Sequence, residues 1–202
     1  MSRRSFLREF FKANRMVGSV LPSSRFLSGK MLAPIDFSKS KVVVELGPGT
    51  GVFTKALLKA MPQDSQLLVI ELNEAFFKNL EKQIQAPQLK LIHGSATEIK
   101  DYLNALGIDK ADYIVSSLPL SNFPKELRDQ ILTSCISSLQ SDGKFIQFQY
   151  SRGLKKLYGK YFSKVSIDYT VLNFPPAFIY TCSNSWFLLR IFAQNLKHVK
   201  CK

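Results

Sequence analysis

Three glycines in alternation, Gly47, Gly49 and Gly51, stand in the stretch KVVVELGPGTGVFTKALL from Lys41 to Leu58. Lacking a Cβ, they let the backbone turn sharply and approach a ligand closely, and Pro48 stiffens the loop. Ahead of them Val42, Val43 and Val44 form a β-branched run with no polar break, which suits a strand buried on both faces of a parallel sheet. Phe53 to Leu58 reads as the first turns of a helix. A strand, a glycine loop and a helix N-terminus together make a site for a nucleotide-like ligand. The spacing G-x-G-x-G differs from the dinucleotide spacing, and no Lys-Ser/Thr pair of a phosphate loop is present, which points away from NAD and ATP. Leu67 to Ile70 is a second apolar strand. It ends in Glu71, about 20 residues after the loop, from where a carboxylate can accept both hydroxyls of a ribose. Glycines alone fit a tight turn with no ligand; the placed acid favours a ligand.

Preceded by Glu45 and Leu46, the run E-L-G-P-G-T-G resembles the first motif of class I S-adenosylmethionine-dependent methyltransferases, whose loop wraps the methionine part of the cofactor. The resemblance implies S-adenosylmethionine, held by Glu45, Gly47, Gly49, Gly51 and Glu71, with Ser95, Ala96 and Ser116 after the next strands. Those enzymes commonly keep an acid after the third strand to bond the adenine amine; here Ser95 stands in that place. His93 just before it is expected to be a strand-end residue, since no carboxylate is placed to make it a base.

Ser116-Ser117-Leu118-Pro119-Leu120 occupies the substrate-side position at the end of the fourth strand. Amino methyltransferases acting on adenine typically have Asn or Asp there, then x-Pro, then an aromatic ring that stacks on the base. Here Ser117 takes the polar place and Leu120 the aromatic one. A leucine offers no stacking face to a flipped base, whereas a primary amine on a flexible substrate needs none. The chain further resembles the bacterial phospholipid N-methyltransferases, in FLREFFKANRMVGSVLPSSRFL (Phe6 to Leu27), the glycine loop, DYIVSSLPLSNFP (Asp112 to Pro124), FIQFQY (Phe145 to Tyr150) and NFPPAF (Asn173 to Phe178). This implies methylation of phosphatidylethanolamine towards phosphatidylcholine, with an N-terminal helix that binds the membrane. Ser117 and the carbonyls around Leu118 are expected to orient the amine. Tyr150 is the candidate for a cation-holding ring, against a plain core ring. Arg25, in the P-S-S-R turn, is the candidate for the lipid phosphate.

The elements that must position these residues alternate regularly. Strands are expected near 42 to 46, 67 to 71, 89 to 93, 111 to 116 and 144 to 149, then 164 to 172 and 177 to 183 as a hairpin with NFPPAF at its turn. Helices fit between: Asn73 capping 74 to 85, Thr97 capping 98 to 105 with Gly107 as stop, Pro124 opening one to Leu139, and a short basic one at 154 to 161. The fold class is α/β, a seven-stranded Rossmann-like sheet with an antiparallel last strand. Residues 1–35 read as N-terminal helices, 36–183 as the methyltransferase domain and 184–202 as a basic tail with a further helix.

Charge is unevenly spread. The net +13 divides into +7 over residues 1–41, −2 over 42–149 and +8 over 150–202, an enzyme body with ends suited to a polyanion. In the first segment Phe6, Phe10 and Phe11 line an apolar side, and Arg8, Lys12 and Arg15 fall opposite, joined at the start by Arg3 and Arg4. That is the pattern of an interfacial helix or of one docked on its own domain. Tyr169 to Leu189 carries no charge, but Pro175-Pro176 in its middle excludes a lipid-spanning helix. Cys135, Cys182 and Cys201 show no metal spacing and suit a reducing compartment. The expected location is the cytoplasm, at the inner face of the membrane. An adenine methyltransferase acting on ribosomal RNA and a catalytically silent membrane-binding fold are the alternatives.

Overall fold

A run of β-branched residues just ahead of the glycines makes an interior strand of the sheet, β1 (Val42–Leu46). In the computed structural model, which describes residues 25–150, 152–171 and 176–184, it pairs in parallel with β2 (Gln66–Glu71) on one side and β4 (Ala111–Ser116) on the other. With β3 (Leu89–His93), β5 (Leu139–Gln149), β6 (Lys164–Thr170) and β7 (Ala177–Ser183) the sheet has seven strands in the order β3-β2-β1-β4-β5-β7-β6. β7 runs antiparallel to both β5 and β6. Alternation along the strands sends apolar side chains to both faces, so helices must cover both.

Two cores result. On one face Val43, Leu67, Val69, Val115 and Ile146 meet α1 (Arg25–Leu32) and α2 (Val52–Ala60) through Leu27, Met31, Phe53 and Leu57. On the other Val44, Leu46, Leu68, Ile114 and Phe145 meet α4 (Ile99–Ala105), α5 (Lys125–Ser138) and α6 (Lys155–Tyr161). Between them in the chain, α3 (Glu74–Gln83) lies along β2 and β3. Cys135 and Cys182 are buried free thiols in the second core. Since Leu27 and Met31 are fully buried, the packing runs unbroken across residue 36, and α1 is part of the body. Loss of either leucine-sized side chain from such a core costs about 2 to 5 kcal/mol.

The elements follow the sequence closely. Asn73 caps α3, its side chain accepting from the amides of Ala75 and Phe76. Three details differ. Ser95, not Thr97, provides the cap after β3: its hydroxyl accepts from the Thr97 amide and opens a 3-10 turn, Ala96–Glu98, ahead of α4. β5 begins at Leu139 rather than 144, because the chain leaves α5 directly into pairing with Ala111 before a register shift. Pro124 sits at the N-cap of α5, one place before the first turn.

At the amino ends of the strands Asp112 accepts from the amides of Lys41 and Val42 at 2.7 and 2.9 Å. Lys144 donates to the Pro34 carbonyl at 2.9 Å, so the segment that follows α1 is tied there too. Among the described residues no helix is long and apolar enough to cross a membrane, and no group of three or more His, Cys, Asp or Glu residues could hold a metal ion. The segment from Phe6 to Arg15, with Arg3 and Arg4, lies outside the described residues, as do the tail from Ser185 and the hairpin tip at 172–175.

Candidate active site

Strand order reverses beside β1, which is followed by α2 on one face while its neighbour β4 is followed by α5 on the other. In an open α/β sheet a ligand crevice forms at that point, outside the carboxyl ends of the strands. The glycine loop fills this position. All three glycines are left-handed, with φ of 67°, 56° and 80° at Gly47, Gly49 and Gly51, a conformation that costs other residues about 1 kcal/mol or more. Their surroundings differ. A Cβ at Gly47 would meet Leu118 Cδ2 at 2.7 Å, and one at Gly51 would meet Leu80 Cδ2 at 2.6 Å, whereas one at Gly49 would have no heavy atom within 4 Å. At Gly47 and Gly51 a side chain would thus have to displace the tips of neighbouring leucines as well as adopt the left-handed backbone. Gly49 is the glycine whose freedom leaves space in the crevice.

Two carboxylates flank the loop. Glu71, ending β2, accepts from the Asn73 amide at 2.7 Å and from the Gly49 amide at 3.3 Å. Burial raises its pKa, while those amides pull it down. A carboxylate has about four acceptor positions, so both oxygens keep capacity for hydroxyl donors. Glu45 is fully buried, and neither of its oxygens has a hydrogen-bond partner. Desolvation pushes its pKa up to about 8; nearby Thr54 opposes this, and the charge of Glu71 adds to it. Thr54 influences Glu45 without making a hydrogen bond of ordinary geometry, and its hydroxyl is likewise unpartnered. Orphaned polar atoms under a glycine loop fit a ligand that brings its own donors or a positive charge.

After β3, Ser95 is committed to its cap: its Oγ lies 2.8 Å from Thr97 Oγ1, and its amide donates to the Tyr102 hydroxyl at 3.1 Å. Tyr102 in turn donates to Glu98 at 2.6 Å. Its ring explains Gly94, where a Cβ would lie 2.1 Å from the Tyr102 oxygen. Ala96 opens the 3-10 turn beside it. His93 ends β3, stacked on Phe77 at 5.1 Å with Nε2 3.1 Å from the Leu72 carbonyl, and so is a strand-end residue.

Across the crevice, Ser116 Oγ accepts from the Leu118 amide at 3.3 Å, and the Ser117 amide donates to the Leu46 carbonyl at 2.9 Å. The Ser117 hydroxyl is buried without a partner. Leu118 therefore bridges the two sides: its side chain rests over Gly47, and its carbonyl turns towards β5. Leu120 is fully buried in the core at the start of a 3-10 turn. Tyr150 stands past the end of β5, 40% exposed and edge-on to Phe148 at 5.7 Å. It is not a core ring. Arg25 begins α1; its side chain lies outside what is described.

Sequence reasoning missed the two glutamines of β5. Gln147 and Gln149 are buried and both donate to the Leu118 carbonyl, at 3.0 and 3.1 Å. The alternation Q-F-Q inside an apolar strand was the available signal, because a period of two puts both amides on one face.

A family model described as ribosomal RNA adenine dimethylase matches residues 10–164. The chain belongs to this family. It is accordingly an S-adenosylmethionine-dependent N-methyltransferase of class I fold. Among curated relatives, an ornithine lipid N-methyltransferase from Singulisphaera acidiphila is 32% identical over 88% of this chain and 93% of its own length. A ribosomal RNA small subunit methyltransferase A from Mycoplasma capricolum is 31% identical over 67% of this chain and 49% of its own length. The chain thus spans about half the length of that ribosomal RNA enzyme. Solved structures agree on the fold. A precorrin-6y C5,15-methyltransferase from Geobacter metallireducens superposes with a TM-score of 0.65 at 15% identity, covering 83% of this chain and 92% of that one. A 1,6-didemethyltoxoflavin-N1-methyltransferase from Burkholderia thailandensis, solved with S-adenosylhomocysteine bound, gives 0.64 at 16% identity, covering 90% and 87%. The lipid relative acts on an ornithine lipid, so phosphatidylethanolamine is not the headgroup its name records.

Proposed function

We propose that this methyltransferase acts on the primary amine of a lipid headgroup, an ornithine lipid or phosphatidylethanolamine, at an anionic membrane surface. The observation that carries the reading is Leu120: the place after Leu118-Pro119 where an adenine-methylating site presents a ring holds a fully buried leucine. No stacking face for a flipped base is offered from that position, and a flexible alkylamine needs none. The relative acting on an ornithine lipid, matched over nearly its whole length, supports the same class of substrate.

The residues divide into two sets. Glu71 is suited to the cofactor's ribose hydroxyls, the Gly49 backbone to close approach, and Glu45 to a positive group. Ser116, Ser95 and Ala96 stand at the neighbouring strand ends. When bound, S-adenosylmethionine supplies a methyl group whose bond to sulfur breaks, its electrons staying on sulfur, as the nitrogen lone pair closes on carbon. The chain must present an uncharged amine to that methyl. An alkylamine near the lysine pKa is mostly protonated at pH 7, and removing the proton costs roughly 4 kcal/mol. Desolvation between Leu118 and the buried Ser117 hydroxyl lowers that cost, and the proton leaves to water. Tyr150, exposed just past the end of β5, is the proposed partner of the incoming cation. Arg25 at the head of α1 is the proposed partner of a headgroup phosphate where the lipid has one.

Methylation of an adenine amine in ribosomal RNA is the second reading, favoured by the family description and by relatives such as the Mycoplasma enzyme. Expression in a host lacking methylated lipids separates the two. Thin-layer separation of lipids is expected to show a new methylated amine lipid, and a primer-extension scan of ribosomal RNA no new stop. A new stop with unchanged lipids would reverse the choice.

Membrane recruitment is assigned to residues 1–17, where Phe6, Phe10 and Phe11 supply apolar insertion and Arg3, Arg4, Arg8, Lys12 and Arg15 the charge. Each basic residue near an anionic surface contributes about 1 kcal/mol, screened by salt. A chain lacking residues 1–17 is expected to stop sedimenting with anionic liposomes while still binding S-adenosylmethionine. Sedimentation equal to that of the full chain would move the role to the basic tail.

A further inference from the structure

Two amides with no assigned part in the transfer converge on one oxygen. The Leu118 carbonyl accepts Gln147 Nε2 at 3.0 Å and Gln149 Nε2 at 3.1 Å, and the Leu120 amide at 2.8 Å besides, so three donors crowd an oxygen with two lone pairs. Burying two amides within the strand segment Phe-Ile-Gln-Phe-Gln is unfavourable unless their polar atoms find partners. Here the partners found are on the substrate-side loop. The two glutamines are not equivalent. Gln147 also donates to the Phe148 carbonyl at 2.7 Å, so both of its N–H groups are engaged, and its Oε1 is buried without a partner. Gln149 stands at the last position of β5, and its Oε1 accepts from the hydroxyl of exposed Ser121 at 3.2 Å.

We propose that Gln147 and Gln149 are the positioning residues for the reacting amine. Gln147 fixes the Leu118 carbonyl. Gln149, the donor at the strand end, gives up its place on that crowded oxygen to the substrate's N–H and then offers its own Oε1 as a second acceptor. The inference rests on the reading that an amine is methylated beside Leu118. A neutral primary amine has two N–H groups and one lone pair, so two acceptors hold the hydrogens and leave the lone pair directed at the methyl carbon. As the N–C bond forms, the electron pair of the S–C bond stays on sulfur, and the ammonium product loses one proton to solvent. The monomethylated amine has one N–H left and uses one acceptor. Removing the second acceptor therefore penalises the first transfer more than the next.

The test is Gln149→Leu, assayed on whichever amine the wild-type protein methylates, in its primary and monomethylated forms. The expected result is a kcat/KM for the primary amine that falls roughly tenfold further than for the monomethylated one, the size of one lost hydrogen bond, with S-adenosylmethionine affinity within about twofold of wild type. A purely structural role would depress both substrates alike. Equal loss on the two, or no loss, overturns the proposal. Should the leucine variant not fold, Gln149→Asn keeps the strand-end polarity but falls short of Leu118, and the same discrimination is expected. A wild-type protein that methylates adenine and not lipid contradicts the lipid reading alone, and the comparison then runs on adenine and its N6-monomethyl form. Methylation of no amine at all overturns both.

Discussion

Glu71→Ala is expected to weaken S-adenosylmethionine binding by at least about a hundredfold in calorimetry, with the fold intact. A charge-assisted hydrogen bond contributes roughly 1.5 to 3 kcal/mol, and a carboxylate holding two ribose hydroxyls makes two of them. Glu71 is poised for this by its place at the end of β2 and by amide bonds from Asn73 and Gly49 that fix its orientation. Gly49→Ala isolates the loop. A Cβ there would touch nothing in the protein within 4 Å, so the cost to the fold is confined to the left-handed backbone, about 1 kcal/mol. A large loss of cofactor affinity with a nearly unchanged melting temperature is the expected pair of results. Full affinity in either variant would mean that the cofactor does not approach this side of the loop.

The second large effect is on stability as a function of pH. Glu45 has its pKa raised from 4.5 to about 8, chiefly by burial, so in the folded protein it holds its proton more tightly than in the unfolded chain. Stability from this group is complete below about pH 4.5 and is lost as the pH rises through about 8. Every tenfold gain in proton affinity on folding corresponds to about 1.4 kcal/mol, so the decline amounts to a few kcal/mol. Glu71, also raised, adds in the same direction. Surface carboxylates with lowered pKa, Asp36, Asp64, Asp109, Asp129 and Asp168, act oppositely and lose their contribution only as the pH falls below the ordinary aspartate range. Without cofactor, the melting temperature should therefore fall between pH 5 and pH 8. In Glu45→Gln that fall should be much shallower, and the variant should melt above wild type at pH 8. Parallel pH profiles for the two proteins would show that Glu45 is not the group responsible.

How far the sequence reveals this site depends on the kind of constraint. Val42 to Leu46, the alternating glycines and Glu71 are legible because local periodicity and backbone freedom dictate them, and the remaining strands follow from the same alternation. The sheet order becomes legible through the hairpin without an intervening helix at its end. Ser95 was harder, since its hydroxyl had two uses, ligand or cap, and only the turn geometry shows that Thr97 takes it. Gln147 and Gln149 were not legible as a pair with Leu118, because they lie 29 and 31 residues away from it in the chain. A contact of that span is fixed by the β4–β5 register, which brings Ser116 opposite Gln147. Glu45 was recognisable as a motif residue, but its lack of any partner is a property of the packed interior.

The most direct measurement of the account supplies methyl-labelled S-adenosylmethionine to the full chain in one vessel with ribosomal RNA and liposomes containing ornithine lipid and phosphatidylethanolamine. Label is predicted to enter an amine-bearing lipid, to be absent from the RNA, and to disappear with Glu71→Ala. Label in the RNA with none in the lipids would contradict the account.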